Sequence, residues 1–127
     1  MKQFKKEKVF PNEAFVQAAL EKYFLRLGYE VESDGQVDLI ATNGHTRWVV
    51  EAKGLTSQVG LDFNTCIGQI VKSMYCEDTN YAIAFPNHVK YEFQCSKIPN
   101  IFRMRNNLYL LIVDEMEYKS GWAKGEH

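Results

Sequence analysis

The sequence is short of cysteine, of net charge and of long apolar runs, and each shortage closes off a class of protein. Its three cysteines, Cys66, Cys76 and Cys95, are odd in number and match neither a C-x-x-C nor a zinc-ligand spacing. A disulfide scaffold and a zinc module are therefore set aside, and reduced thiols in a cytoplasmic protein are the expectation. No apolar run approaches the roughly 20 residues of a membrane span. No apolar signal-peptide core follows the N-terminal lysines, so a soluble intracellular protein is expected. Internal repeats and low-complexity tracts are also missing. The formal net charge is −1, which supplies no global attraction for nucleic acid.

What is present is material for one compact domain spanning residues 1–127. Of its 127 residues, 46% are hydrophobic and 13% aromatic, enough for a core without cross-links. Charge is uneven along the chain. Lys2, Lys5, Lys6 and Lys8 form a basic arm over residues 1–10, opposed only by Glu7, and Lys97, Arg103 and Arg105 form a second basic stretch. Acid gathers in Asp114, Glu115, Glu117 and Glu126. Either basic cluster could be a phosphate-binding surface or a solvated face.

Pro11-Asn12 reads as a helix start with Asn12 as N-cap, and Gly28 as the residue just past the end. Over 12–27, Val16, Leu20, Tyr23, Phe24 and Leu27 share one face at ~100° per residue. Three strands follow: Tyr29 to Glu32, Val37 to Thr42 after an Asp34-Gly35 turn, and Thr46 to Lys53 after the Asn43-Gly44 hairpin signal. A loop from Gly54 to Gly60 leads to a helix over 62–77, with Phe63, Ile67, Ile70, Val71 and Met74 aligned. Tyr81 to Phe85 is a short strand closed by Pro86-Asn87. A weaker helix is expected over His88 to Lys97, then a strand over Leu108 to Val113. Residues 115–127 read as a loose tail that Trp122 could anchor. The order α-β-β-β-α-β indicates an α/β domain with a mixed central sheet flanked by helices.

Side chains alternate faces along a strand, so Glu51 and Lys53 project to one side while Trp48, Val50 and Ala52 project to the other. The hairpin adds Asp38. With Asn43 and Gly44 as the two loop residues, Asp38 lies opposite Val49, one same-face step from Glu51 and ~7–8 Å away diagonally. Two neighbouring carboxylates repel unless a cation joins them. A hard divalent ion such as Mg²⁺ takes oxygen ligands of this kind. It would lower the pKa of a water and neutralise phosphate charge, with Lys53 steadying the developing negative charge. This chemistry requires no histidine, cysteine or serine. A Glu-x-Lys pair on a strand is also a common surface ion pair of little energetic consequence, and it is Asp38 across the hairpin that tips the reading towards catalysis.

These residues resemble the PD-(D/E)XK nuclease superfamily, which includes restriction endonuclease-like and Holliday junction resolvase-like enzymes. Val37-Asp38 matches the PD half, with valine in place of proline, and Glu51-Ala52-Lys53 matches the (D/E)XK half. The resemblance runs from about residue 11 to about residue 113 and implies the restriction endonuclease-like αβββαβ core. It implies a metal-dependent nuclease hydrolysing phosphodiester bonds in DNA, with endonuclease action expected and RNA left open as a substrate. It also implies Mg²⁺, with Mn²⁺ as a substitute, held by Asp38, Glu51 and the backbone carbonyl of Ala52. Glu13, in the first helical turn, matches a glutamate that many members place near the metal, and would equally serve as a helix-dipole residue. Gln69 resembles a glutamine kept beside the active site in several branches, but could simply be exposed.

Candidate nucleic-acid contacts are Lys5, Lys6 and Lys8 in the arm, Ser57 and Gln58 in the loop after Lys53, Lys72 beside Gln69, and Arg103 with Arg105. His45 and His88 read as turn residues rather than ligands. The competing functions are a non-catalytic nucleic-acid-binding module on the same fold and an interaction domain whose charges lie on the surface. The small size also suggests a homodimer or a larger complex that completes the DNA-binding surface.

Overall fold

The computed structural model describes residues 9–33, 35, 37–76, 78–115 and 120–123, the last four as backbone only. The first helix, α1 (Glu13–Arg26), starts where the Asn12 side chain accepts the Phe15 N–H at 3.0 Å. It stops in a Schellman turn. Gly28 N–H bonds Leu25 O, Tyr29 N–H bonds Phe24 O, and the rings of Phe24 and Tyr29 meet edge to face at 5.2 Å.

Next come β1 (Glu30–Glu32), β2 (Leu39–Asn43) and β3 (Thr46–Ala52) as an antiparallel meander. The hairpin turn is not the expected one. Asn43 pairs with Thr46, so the two central residues are Gly44 and His45, with Gly44 at φ 60°. Glycine in the first central position with positive φ is the type II′ arrangement, which suits the twist of a hairpin as well as Asn-Gly does.

The second helix, α2 (Val59–Val71), begins and ends earlier than the 62–77 of the sequence reading, because buried Val59 already belongs to its first turn. Two parallel strands, β4 (Thr79–Pro86) and β5 (Leu108–Val113), extend the sheet. Between them lie two short helices, α3 (Val89–Cys95) and α4 (Asn100–Arg105). The second of these was read only as a basic stretch. Its six residues are too few for an apolar period to show.

The supposed loose tail contains an edge strand, β6 (Ser120–Ala123), antiparallel to β5, whereas residues 116–119 and 124–127 lie outside the described set. The six strands run in chain order, with parallel pairing only from β3 to β5. This is the mixed α/β sheet with flanking helices that the sequence led us to expect.

Helices cover both faces, so β3 and β4 are buried nearly throughout. On one face Val16, Ala19, Leu20 and Phe24 of α1 pack on Trp48, Val50, Ala52, Ala82 and Leu111. On the other, Phe63, Cys66, Ile70 and Tyr91 pack on Ile40, Val49, Ile83, Phe85 and Leu110. Among the described residues no helix is long and apolar enough to cross a membrane.

Candidate active site

The two-residue shift of the hairpin changes the geometry of the site. Leu39 pairs with Val50, so the same register sets Asp38 opposite Glu51 rather than opposite Val49. A shift of two preserves the face, so the acids meet directly across the ladder instead of diagonally. Strand β2 starts just after Asp38, and the Asp38 Oδ2 accepts the Ala52 N–H at 2.8 Å. The carboxylate takes the place that a β2 backbone carbonyl would fill, and is thereby fixed at the end of the sheet.

Glu51 is 3% exposed, and its Oε2 is buried without a hydrogen-bond partner. Burial first, and then the charge of Asp38, push its carboxyl from 4.5 up to about 8. A hydrogen bond with Asp38 raises it further, while Lys53 pulls the other way and Glu13 adds a small push up. Near neutral pH without metal, Glu51 is therefore protonated and donates to Asp38.

Glu13, Asp38, Glu51, Lys53 and Gln69 all line one polar cavity of about 310 Å³, so five of the expected site residues converge. Glu13 arrives from the opposite face of the sheet because the start of α1 lies across the end of β3. Leu55 N–H bonds Pro11 O at 2.9 Å, and a Cβ on Gly54 would fall 2.2 Å from Glu13 N. Only glycine allows that approach. Gln69 is exposed on α2 yet reaches the same cavity.

Sequence reasoning missed Gln17, which also lines the cavity and whose Nε2 donates to Glu13 Oε2 at 3.3 Å. Its i, i+4 spacing from Glu13 was the available signal. Tyr91 was missed as well. Its buried hydroxyl donates to Gly54 O at 2.7 Å and so holds the backbone just after Lys53. Contact across 37 residues leaves no local signal.

The other expected contacts are elsewhere. Ser57 and Gln58 line a separate depression with Val89 and Phe93. Lys72 and Arg105 are exposed but do not line the site cavity. Arg103 is only 6% exposed, so it is not the surface phosphate contact that was expected. Lys5, Lys6 and Lys8 lie outside the described residues.

The cysteines are free. Burial, followed by the nearby Glu51 charge, pushes the Cys66 thiol up to about 12, which leaves it neutral and inert.

Among the described residues no three His, Cys, Asp or Glu side chains are grouped to hold a metal ion. A Mg²⁺ site does not need three, since this ion keeps several waters and is commonly bound through one or two carboxylates. The adjacent acids and the unpartnered Glu51 oxygen fit that demand.

No family model and no curated protein matches this sequence. The likeness to known proteins is one of fold, to mixed α/β proteins with a central sheet flanked by helices. An XisH family protein from Nostoc punctiforme PCC 73102 superposes with a TM-score of 0.64 at 16% identity, covering 86% of this chain and 98% of that one. A fdxN element excision controlling factor protein from Anabaena variabilis gives 0.62 at 16% identity, covering 84% and 96% respectively.

Proposed function

We propose that this chain is a PD-(D/E)XK-type, metal-dependent nuclease acting on DNA, with Asp38, Glu51 and Lys53 as its catalytic residues. The observation that carries the reading is the direct pairing of the Asp38 and Glu51 carboxyls beside Lys53, with one Glu51 oxygen buried and unpartnered. Two adjoining carboxyls, one of them buried, are costly to a fold, and a cation between them relieves that cost. Asp38 and Glu51 would hold Mg²⁺ or Mn²⁺, and the Ala52 carbonyl is the third oxygen in reach of that position by the resemblance. When bound, the ion supplies Lewis acidity towards a phosphate oxygen and a water.

The chain's own groups do the rest. Lys53, on the wall of the same cavity, places a positive charge where negative charge develops on phosphorus-bound oxygens. Gln69 offers an amide for a water or a phosphate oxygen. Glu13, paired with Gln17, adds negative potential that favours a cation at the mouth of the cavity. The name of one structural neighbour, an element excision controlling factor, supports DNA as the substrate, because excision of an element requires handling of DNA. The words "controlling factor" in that name also favour a second reading, a DNA-binding accessory protein without turnover.

The test is incubation with plasmid, single-stranded and branched DNA in Mg²⁺ or Mn²⁺, with EDTA as control. Glu51→Ala and Lys53→Ala are expected to lower cleavage at least ~100-fold while leaving the fold intact. Full activity in either variant would overturn the assignment. DNA binding without cleavage under any metal would favour the accessory reading.

A further inference from the structure

A second cavity, of about 390 Å³, opens on the α3–α4 side of the sheet, with a floor of Phe85, Leu110 and Ile112. It shares no lining residue with the site described above. Arg103 of α4 lines it and is 94% buried. Its Nη2 donates to Asn100 Oδ1, while Nε is closed off from solvent and has no hydrogen-bond partner. Among the described residues no carboxylate pairs with it.

A guanidinium stays protonated at any physiological pH, and a buried charge without a counter-charge is strongly unfavourable. Among the described residues the only acid on the cavity wall is Glu92, and its side chain is exposed. His88 lies on the same wall. Its Nδ1 accepts the Lys90 N–H at 3.1 Å, which puts the proton of the neutral ring on Nε2 as a donor. Two donors, one of them a buried cation, thus border an apolar floor in a space within the ~300–1,000 Å³ usual for small-molecule sites.

We propose that this cavity binds a phosphate-bearing ligand of nucleotide size, with the phosphate on Arg103 and His88 and the apolar body on Phe85, Leu110 and Ile112. Arginine suits the oxyanion, because its planar fork matches two phosphate oxygens. The floor suits a nucleoside better than inorganic phosphate alone. Such a ligand could be a free mononucleotide or the phosphorylated end of a DNA strand. The proposal does not rest on the nuclease reading.

The experiment uses the full chain in EDTA, so that the carboxylate site cannot respond through a metal. Thymidine 5′-monophosphate and a 5′-phosphorylated oligothymidylate are titrated against thymidine and the unphosphorylated strand, reading the Arg103 side-chain N–H resonance. A saturable shift with either phosphorylated ligand, absent with both controls, is expected, and the tighter of the two identifies the source. Arg103→Met is expected to weaken binding at least tenfold without lowering the melting temperature, because removing an unpaired buried charge relieves the fold.

Three results would overturn the proposal. The Arg103 signal could fail to move in the wild-type protein, a readout that needs no variant to fold. Binding could persist in Arg103→Met, or Arg103→Met and Glu92→Gln could both lower the melting temperature by similar amounts, which would make Glu92 the partner of Arg103.

Discussion

At the scale of single residues, Glu51 shows how burial and a neighbouring charge can hold an acid protonated until a bound cation displaces the proton. Its carboxyl titrates near 8 in the folded chain and near 4.5 when unfolded. Between those values the folded state holds the extra proton, so the stability of the metal-free protein falls as pH rises. The contribution is complete below about 4.5 and is lost as pH rises through about 8. Urea unfolding in EDTA at several pH values is expected to show this slope, and Glu51→Gln is expected to flatten it, since an amide holds its hydrogen throughout. A slope unchanged by Glu51→Gln would place the titration elsewhere. Much at this scale was legible: alternation along β3 put Glu51 with Lys53, and pairing across the hairpin brought in Asp38. The bond from Ala52 N–H to Asp38 was not legible, because it depends on where β2 begins.

Among the elements, the decisive contact is the crossing of α1 over the end of β3. Gly54→Ala would drive a methyl into the backbone of Asn12 and Glu13, which cannot yield as a side-chain tip can. The expected result is a loss of about 1–3 kcal/mol in urea unfolding. A fall in cleavage beyond that caused by unfolding is also expected, as Glu13 and Gln17 are pushed from the cavity. Tyr91→Phe acts from the other side, leaving the Gly54 carbonyl short of its donor. It is expected to cost about 1–3 kcal/mol while the stacked Phe85 contact survives. Helix α1 could be read closely from its Asn cap and Gly stop. Helix α2 could not, since Gln58 makes no side-chain cap.

For the whole molecule, the net charge of −1 means that any DNA binding must come from local charge rather than the overall field. If the basic arm contacts phosphates, replacing Lys5, Lys6 and Lys8 with alanine should reduce the salt slope of DNA affinity by up to about 3, near 0.9 per lost contact. An unchanged slope would remove the arm from the interface. The same scale shows why Arg103 was misplaced in the sequence reading. A linear cluster of positive residues looks like a surface, but the α4 turn carries Arg103 inward and leaves Arg105 outside.

The sequence by itself determined the order of the principal elements, the mixed sheet with flanking helices and the face shared by Glu51 and Lys53, because these follow from local periodicity and turn chemistry. Only the tertiary structure decided the hairpin register, the approach of Glu13 past Gly54, the grip of Tyr91 on that glycine and the burial of Arg103. Each of these depends on packing between segments distant in the chain, where the free energy of a whole interface outweighs any local preference.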